Sequence, residues 1–147
     1  MVACSALALH LQPASAATLS FRGLALGTCT LTAPIDGVMT LGSDLSSWTT
    51  TTPASIVATN TAVSVLTVTR GSDWATSPAG TPLTSFDFSA SLIGVNTGAL
   101  TGTSLSKTHQ LPTLGVSTLS MWLSGVASSP FPAGNYVAQV TVTCATQ

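Results

Sequence analysis

Apolar and polar residues alternate with a period of two along several stretches of this chain, and that alternation limits the folds that the chain can adopt. From Phe86 to Leu92 every second residue is apolar, and the residues between them are Ser or Asp. The stretch from Tyr136 to Cys144 places Tyr, Ala, Val, Val and Cys on one face. A period of two is typical of strands with one buried face, because successive side chains of a strand point to opposite sides.

The composition favours the same fold class. The chain has no Glu and few Lys or Arg residues, whereas Thr and Val, which favour strands, are frequent. Segments that contain Gly and Pro separate about seven to nine short predicted strands. We therefore predict an all-β protein with a single Ig-like antiparallel β-sandwich, and a closed β-barrel is the alternative.

Charge is scarce throughout the 147 residues. Charged residues make up 5% of the chain and hydrophobic residues 45%, and the formal net charge is −1. A disordered chain would combine low hydrophobicity with high net charge, so the composition indicates one folded domain. Because no basic face is available to neutralise phosphates, we predict no nucleic-acid partner and no electrostatic binding to membranes.

The N-terminal residues 1–17 have the pattern of an export signal. An apolar run from Val2 to Leu11 is followed by Pro13 and by small residues that end in Ala16 and Ala17, as at a signal-peptide cleavage site. No Lys or Arg precedes the apolar run, and a buried N-terminal strand or helix is the alternative. We predict a cleaved signal peptide and a secreted protein at the cell surface.

Three cysteines divide the chain. Cys4 lies in the predicted leader, so the mature chain would keep Cys29 and Cys144, each on the apolar face of its predicted strand. An even pair in an exported protein predicts a disulfide, which would make the first and last core strands neighbours. Two separate buried thiols in a reducing compartment are the alternative. The disulfide would close a sandwich domain over residues 28–147.

Residues 18–27 precede that closed domain and form a predicted extended arm. The arm alternates between apolar or Gly residues and a mixed face. It is either the first strand of its own sandwich or a strand that inserts into the sheet edge of a neighbouring copy. The sequence favours neither of these two interpretations over the other.

These features together resemble a known group. The leader, the alternating arm, "CTLTAP" at the start of the domain and "PAGNYVAQVTVTC" at its end are similar to bacterial fimbrial subunits, in particular chaperone–usher pilins and spore-coat-U-like proteins. The resemblance implies an incomplete Ig-like sandwich that the arm of another copy completes, in a fibre at the cell surface. It also implies a periplasmic chaperone and an outer-membrane usher as partners. The arm's bulky residues would be Leu19 and Phe21, and its small ones Gly23 and Ala25.

No motif for catalysis is present in the sequence. The predicted mature chain has one histidine, His109, in a polar stretch, and its four aspartates are spread along the chain. Turn formation accounts for Asp36, Asp44 and Asp73, which lie next to or near Gly, better than a metal site does. We predict a protein that is not an enzyme and holds no metal or cofactor.

The tryptophans suggest a second hypothesis. Trp48 and Trp74 lie in polar segments predicted to be loops, where an aromatic ring either stacks on a sugar or caps the core. If they stack on a sugar, the protein is a monomeric cell-surface module that binds carbohydrate or cell wall. Trp122 alternates away from Leu119 and Leu123, so it belongs to a second packed layer or to a contact surface.

Overall fold

The structure, a computed structural model, describes residues 27–79, 83–102 and 104–147. The predicted leader 1–17, with Cys4, lies outside these residues, and so do Leu19, Phe21, Gly23 and Ala25 of the predicted arm. The described residues form ten strands. They are β1 (Cys29–Ile35), β2 (Val38–Leu41), β3 (Ser47–Thr52), β4 (Ala54–Asn60), β5 (Ser64–Arg70), β6 (Leu83–Gly94), β7 (Gly98–Gly102), β8 (Ser106–Leu111), β9 (Gly115–Ala127) and β10 (Val140–Thr146).

The strands form two antiparallel sheets that pack as a sandwich, which confirms the predicted all-β antiparallel fold. The smaller sheet has the order β10-β5-β8. In the larger sheet, β9 is central and pairs along one edge with β6, which pairs with β7. The other edge of β9 is shared, because its first half pairs with β4 and its second half with β3. β1 then pairs with β4, and β2 pairs with β3.

The strand count exceeds the predicted seven to nine, because two segments predicted to be connections are strands, and so is the polar stretch around His109, which forms β8. The segment around Trp48 forms β3. Its β-branched Thr residues favour a strand, although Trp48 is the one apolar residue of this strand. The Gly-rich segment at Gly98 forms β7, which places Leu100 in the core. β3 and β7 each have a single inward-facing apolar residue, so their polar or Gly-rich composition did not predict a strand.

The main core lies between the sheets and follows the predicted alternation. Phe86, Phe88, Ala90 and Leu92 of β6 are all buried, as predicted. The last three belong to the main core, and Phe86 belongs to a second cluster described below. The smaller sheet contributes Leu66, Val68 and Leu111, and Leu119 comes from β9. Burying a side chain of this size contributes about 1.5–3 kcal/mol relative to leaving it exposed, so this layer is the main stabilising contact between the sheets.

Candidate functional site: a groove beside the last strand

A disulfide joins the edge strands of the two sheets. Cys29 lies on β1 at the edge of the larger sheet, Cys144 lies on β10 at the edge of the smaller one, and their Cα atoms are 5.7 Å apart. The predicted pairing is therefore confirmed, and it makes β1 and β10 neighbours across the sandwich. A disulfide of this kind indicates an oxidising, non-cytoplasmic environment. The residues described include no helix long and apolar enough to cross a membrane.

The described chain begins and ends at the same end of the sandwich as the disulfide. The Thr28 N–H donates to the Thr61 hydroxyl at 2.9 Å, and the Thr61 N–H donates to the Thr28 carbonyl at 2.9 Å. The Gln147 N–H donates to the Val63 carbonyl at 3.0 Å. The predicted arm therefore joins the domain at the disulfide end, and β1 runs away from that end while β10 runs toward it.

At its far end β1 bends. Its pairing with β4 shifts register between Thr32 and Ile35, and Ala33 between them has a φ of 51°, in the left-handed region. An extra residue of this kind is a β-bulge, which bends the strand that contains it. The bend precedes the corner Pro34–Gly37, which joins β1 to β2.

An apolar groove of about 620 Å³ lies between this corner and the start of β10. Its apolar lining comes from both sheets, and the lining side chains used below are Ile56, Met121 and Leu123 of the larger sheet and Val140 and Val142 of the smaller. Four of them, all but Met121, are only partly buried although they pack against the main core. The core is therefore incompletely covered along this side of the sandwich.

The free edge of β10 borders this groove. β10 pairs with β5 on one side and is the last strand of its sheet in the described part of the chain. Its inward-facing Val140 and Val142 are half-buried, whereas Thr141 and Thr143 point outward and are exposed. A free edge leaves backbone N–H and C=O groups without strand partners, and such an edge can pair with another strand.

Four aromatic rings pack together in what we call the aromatic cluster: Trp48, Trp74, Phe131 and Tyr136. All of them except Phe131 line the groove. The two indole rings lie 6.0 Å apart in an edge-to-face arrangement, and each lies within 5.3 Å of the Tyr136 ring. Gly125 faces Trp48 across the β3–β9 pair, and a Cβ there would lie 3.2 Å from the Trp74 ring. The absence of a side chain at Gly125 therefore leaves room for this packing.

The cluster changes the expectation for the two tryptophans. Trp48 lies on β3 rather than in the predicted loop, whereas Trp74 does lie in a loop. Trp74 is only 8% exposed and belongs to a second core cluster with Phe86 and Phe131. Neither Trp48 nor Trp74 has a hydrogen-bond partner for its buried indole nitrogen among the described residues. Both rings line the groove, and sugar stacking at them stays a hypothesis.

The groove carries little charge. Asp36 is the one charged residue among the described residues that line it. No group of three or more His, Cys, Asp or Glu side chains that could hold a metal occurs within residues 27–79, 83–102 and 104–147. His109 does not line the groove; it lies half-buried on β8, against the backbone of Gly98. The groove is therefore suited to an apolar, extended partner rather than to an ion.

The sequence indicated the strands that border the groove but not the groove itself. The alternation of Val140 and Val142 is visible in the sequence, and Asp36-Gly37 is a recognisable turn. The pairing of the strands decides that β10 is an edge strand and that the β1 bulge lies beside an incompletely covered part of the core. This pairing is not visible in the sequence.

No family model, no curated protein and no solved structure matches this chain. The resemblance to fimbrial subunits therefore stays a prediction from the sequence.

Proposed function

We propose that this protein is a secreted structural subunit that assembles into a pilus-like fibre at the bacterial surface. In this proposal, the N-terminal arm of one copy adds as a strand to the sheet edge of the next. The observation that carries the proposal is the groove at the free edge of β10, where half-buried Val140 and Val142 border an incompletely covered core. Strand addition to an exposed edge combines backbone hydrogen bonds with side-chain pockets for alternate residues.

The predicted arm suits such a groove in length and pattern. A strand rises about 3.3 Å per residue, so ten residues from 18 to 27 extend over about 33 Å, longer than the seven residues of β10. The arm alternates as a strand between a core and solvent should, and Leu19 and Phe21 would supply bulk on its inward face. These two side chains would cover the partly buried side chains that line the groove.

The direction of the strands distinguishes insertion into the same subunit from insertion into a neighbour. The arm ends at the disulfide end, so an arm folded back along its own groove would run in the same direction as β10. It would thus form a parallel pair, which is slightly less stable per residue than an antiparallel pair. An arm from another copy is not constrained in this way and can pair antiparallel. This difference favours exchange between copies.

The remaining elements of the proposal concern fold and partners. The Tyr136 hydroxyl donates to the Pro132 carbonyl at 2.7 Å, four residues upstream, as in the tyrosine corner of Ig-like sandwiches. An open apolar edge promotes aggregation unless it is covered. A periplasmic chaperone that covers the groove, and an outer-membrane usher that receives the subunit, are therefore the partners we propose.

The test compares the purified mature protein with and without residues 17–27, using size-exclusion chromatography with light scattering and thermal unfolding. We expect the full form to assemble, and the shortened form to remain monomeric and to be stabilised by an added peptide of residues 18–27. Ile35→Glu places a charge at an exposed position in the groove and should block assembly. Val38→Glu, at an exposed position outside the groove lining, is its matched control.

Equal stability of the two forms as monomers would contradict strand exchange. That outcome would favour the alternative, a monomeric surface module that binds carbohydrate or cell wall.

A further inference from the structure

The middle of the outer face of the larger sheet is rich in hydroxyl groups. Outward-facing positions of β6 and β9 in the middle of the sheet carry mostly Ser and Thr: Ser85, Asp87, Ser89 and Ser91 on β6, and Thr118, Ser120, Trp122 and Ser124 on β9. The register pairs Ser89 with Trp122 and Asp87 with Ser124. The Trp122 ring is thus surrounded mainly by Ser and Thr side chains, on the opposite side of the sheet from the main core.

Trp122 lies beside a gap in the sheet. Met121 pairs with Ala54 of β4 and Ser124 pairs with Thr49 of β3, so Trp122 and Leu123 lack a strand partner on that edge. The Thr50 hydroxyl replaces the missing partner, because it accepts from the Leu123 N–H at 2.7 Å and donates to the Leu123 carbonyl at 2.8 Å. The N–H and C=O groups of Leu123 are therefore both hydrogen-bonded at the gap, and the gap forms a depression in the sheet.

A hollow of about 410 Å³ surrounds Trp122 on this face. Its outer-face lining comprises Thr49, Asp87, Ser89, Thr101, Trp122 and Ser124. It shares only Thr50 and Leu123 with the groove described above, which lies on the inner side of the sheet. The volume falls in the range of small-molecule sites, about 300–1,000 Å³.

The polar groups around the hollow are available to a ligand. Asp87 makes no hydrogen bond or ion pair to any described residue, and neither do the side chains of Ser89 and Ser124. Trp122, unlike Trp48 and Trp74, is not among the side chains with a buried and unpaired nitrogen. Unpaired hydroxyl and carboxylate groups at the surface are bonded to water, which a ligand with matching hydroxyl groups can replace.

The charge of this face favours neutral ligands over anionic ones. Asp87 is the one charged side chain at the outward positions of β6 and β9 in the described part of the chain. Anionic ligands would find no cation here and would meet a carboxylate, which is unfavourable. A ligand that suits the hollow has an apolar face for the ring and neutral hydroxyl groups for Ser, Thr and Asp. A pyranose sugar has both.

We propose that the hollow at Trp122 binds a neutral saccharide. The indole ring stacks on the apolar face of a pyranose, since an aromatic side chain combines an apolar body with a polar tip. Asp87 accepts hydrogen bonds from sugar hydroxyl groups, which are stronger than bonds to neutral acceptors. Ser89 and Ser124 complete the contacts. The site is separate from the groove at β10, so a fibre subunit would keep it exposed on its outer sheet face.

The test uses the full mature protein. Its retention on cellulose, chitin and mannan is measured first, with heparin and choline resins alongside. Calorimetric titration with the tetrasaccharide of a retaining polymer then gives the affinity. We expect retention by at least one neutral polymer, a loss of about tenfold or more in affinity for Trp122→Ala, and a smaller loss, about threefold, for Trp122→Phe. Asp87→Asn should weaken binding several-fold.

Two control variants test whether the loss of binding is specific to the hollow at Trp122. Thr118→Ala, on the same face outside the hollow, should bind as the wild type does. Ile35→Glu should block assembly and leave saccharide binding unchanged, so the two proposals can fail separately. Retention by no neutral polymer, retention on heparin or choline alone, or unchanged affinity in a folded Trp122→Ala variant would overturn the proposal.

Discussion

Cys29 and Cys144 are bonded between the edge strands of the two sheets, although they are 115 positions apart in the chain. The bond ties β1 to β10 at the end where the described chain begins and ends, and it leaves the groove at the other end. A covalent link between edge strands holds together two sheets whose described strands do not pair with each other. The disulfide therefore holds the two sheets together at one end of the sandwich, while the groove leaves the core incompletely covered toward the opposite end.

Removal of this disulfide should destabilise the domain. In a chain-entropy treatment, opening a loop of 115 positions lowers the free energy of unfolding by roughly 4–5 kcal/mol. The measurement is guanidinium unfolding of the wild type and of the Cys29→Ala/Cys144→Ala double variant. The reduced wild type should match the double variant, and a difference below about 1 kcal/mol from the oxidised form would contradict the treatment.

A second prediction concerns Asn96, which is buried in the turn after β6. Its side-chain amide donates to the Thr113 carbonyl at 2.7 Å, and its carbonyl accepts from the Thr113 N–H at 2.9 Å. Asn96→Ala leaves Thr113 without these two partners and should cost about 2 kcal/mol of stability. Asn135→Ala, at an exposed position, is the matched control in denaturant unfolding. Similar midpoints for both variants would show that the bonds contribute nothing.

The Thr50 hydroxyl is predicted to stabilise the gap in the larger sheet. Thr50→Val keeps the shape of the side chain but removes both hydrogen bonds to Leu123. The loss leaves two backbone groups of Leu123 unpaired and should cost about 1–3 kcal/mol. Thr49→Val, at an exposed neighbouring position without a side-chain hydrogen bond to any described residue, should change stability little. Hydrogen exchange of the Leu123 amide would report the local effect directly, and unchanged protection would contradict it.

Trp74 and Trp122 should respond differently to truncation. Trp74 contacts the rings of Trp48, Phe86, Phe131 and Tyr136, so Trp74→Ala should lower the free energy of unfolding by about 3–5 kcal/mol. Trp122→Ala removes a partly buried ring from the outer face and should cost less, about 1–2 kcal/mol. Thermal unfolding of the two variants measures the difference. Equal losses would place Trp122 in a packed layer instead of at the surface.

Asp44 should make the turn between β2 and β3 sensitive to acid. Hydrogen bonds from the Ser46 hydroxyl, then the Ser47 hydroxyl and the Ser46 backbone N–H, hold the pKa of this carboxyl below its ordinary value of about 3.9. A lowered pKa in the folded state contributes stability above the unfolded pKa, and that stability is lost as the pH falls through the folded pKa.

The acid effect is measured by comparing wild type with Asp44→Asn. The melting temperature of the wild type should fall more steeply below about pH 4 than that of the variant, which has no carboxylate to protonate. Parallel pH profiles would show that the turn does not depend on this charge.

Much of the fold was predictable from the sequence because strands follow a local rule. The alternation of Phe86, Phe88, Ala90 and Leu92 identifies both the strand and its buried face, since a period of two needs no knowledge of the partner strands. The pairing of Cys29 with Cys144 followed from counting cysteines outside the predicted leader. β3, β7 and β8 were not predicted, because Thr-rich, Gly-rich and polar segments show no alternation of apolar and polar residues strong enough to separate a strand from a loop.

The strand faces, the disulfide pair and the low charge follow from the order and composition of the residues, because each depends on neighbours along the chain or on composition. Only the fold shows that β10 is an edge strand, that Trp74 is buried, and that Trp122 and Asp87 line one hollow. These facts depend on which strands pair across long separations. Strand pairing sets which edges stay free and which loops cover the core, and no local pattern specifies it.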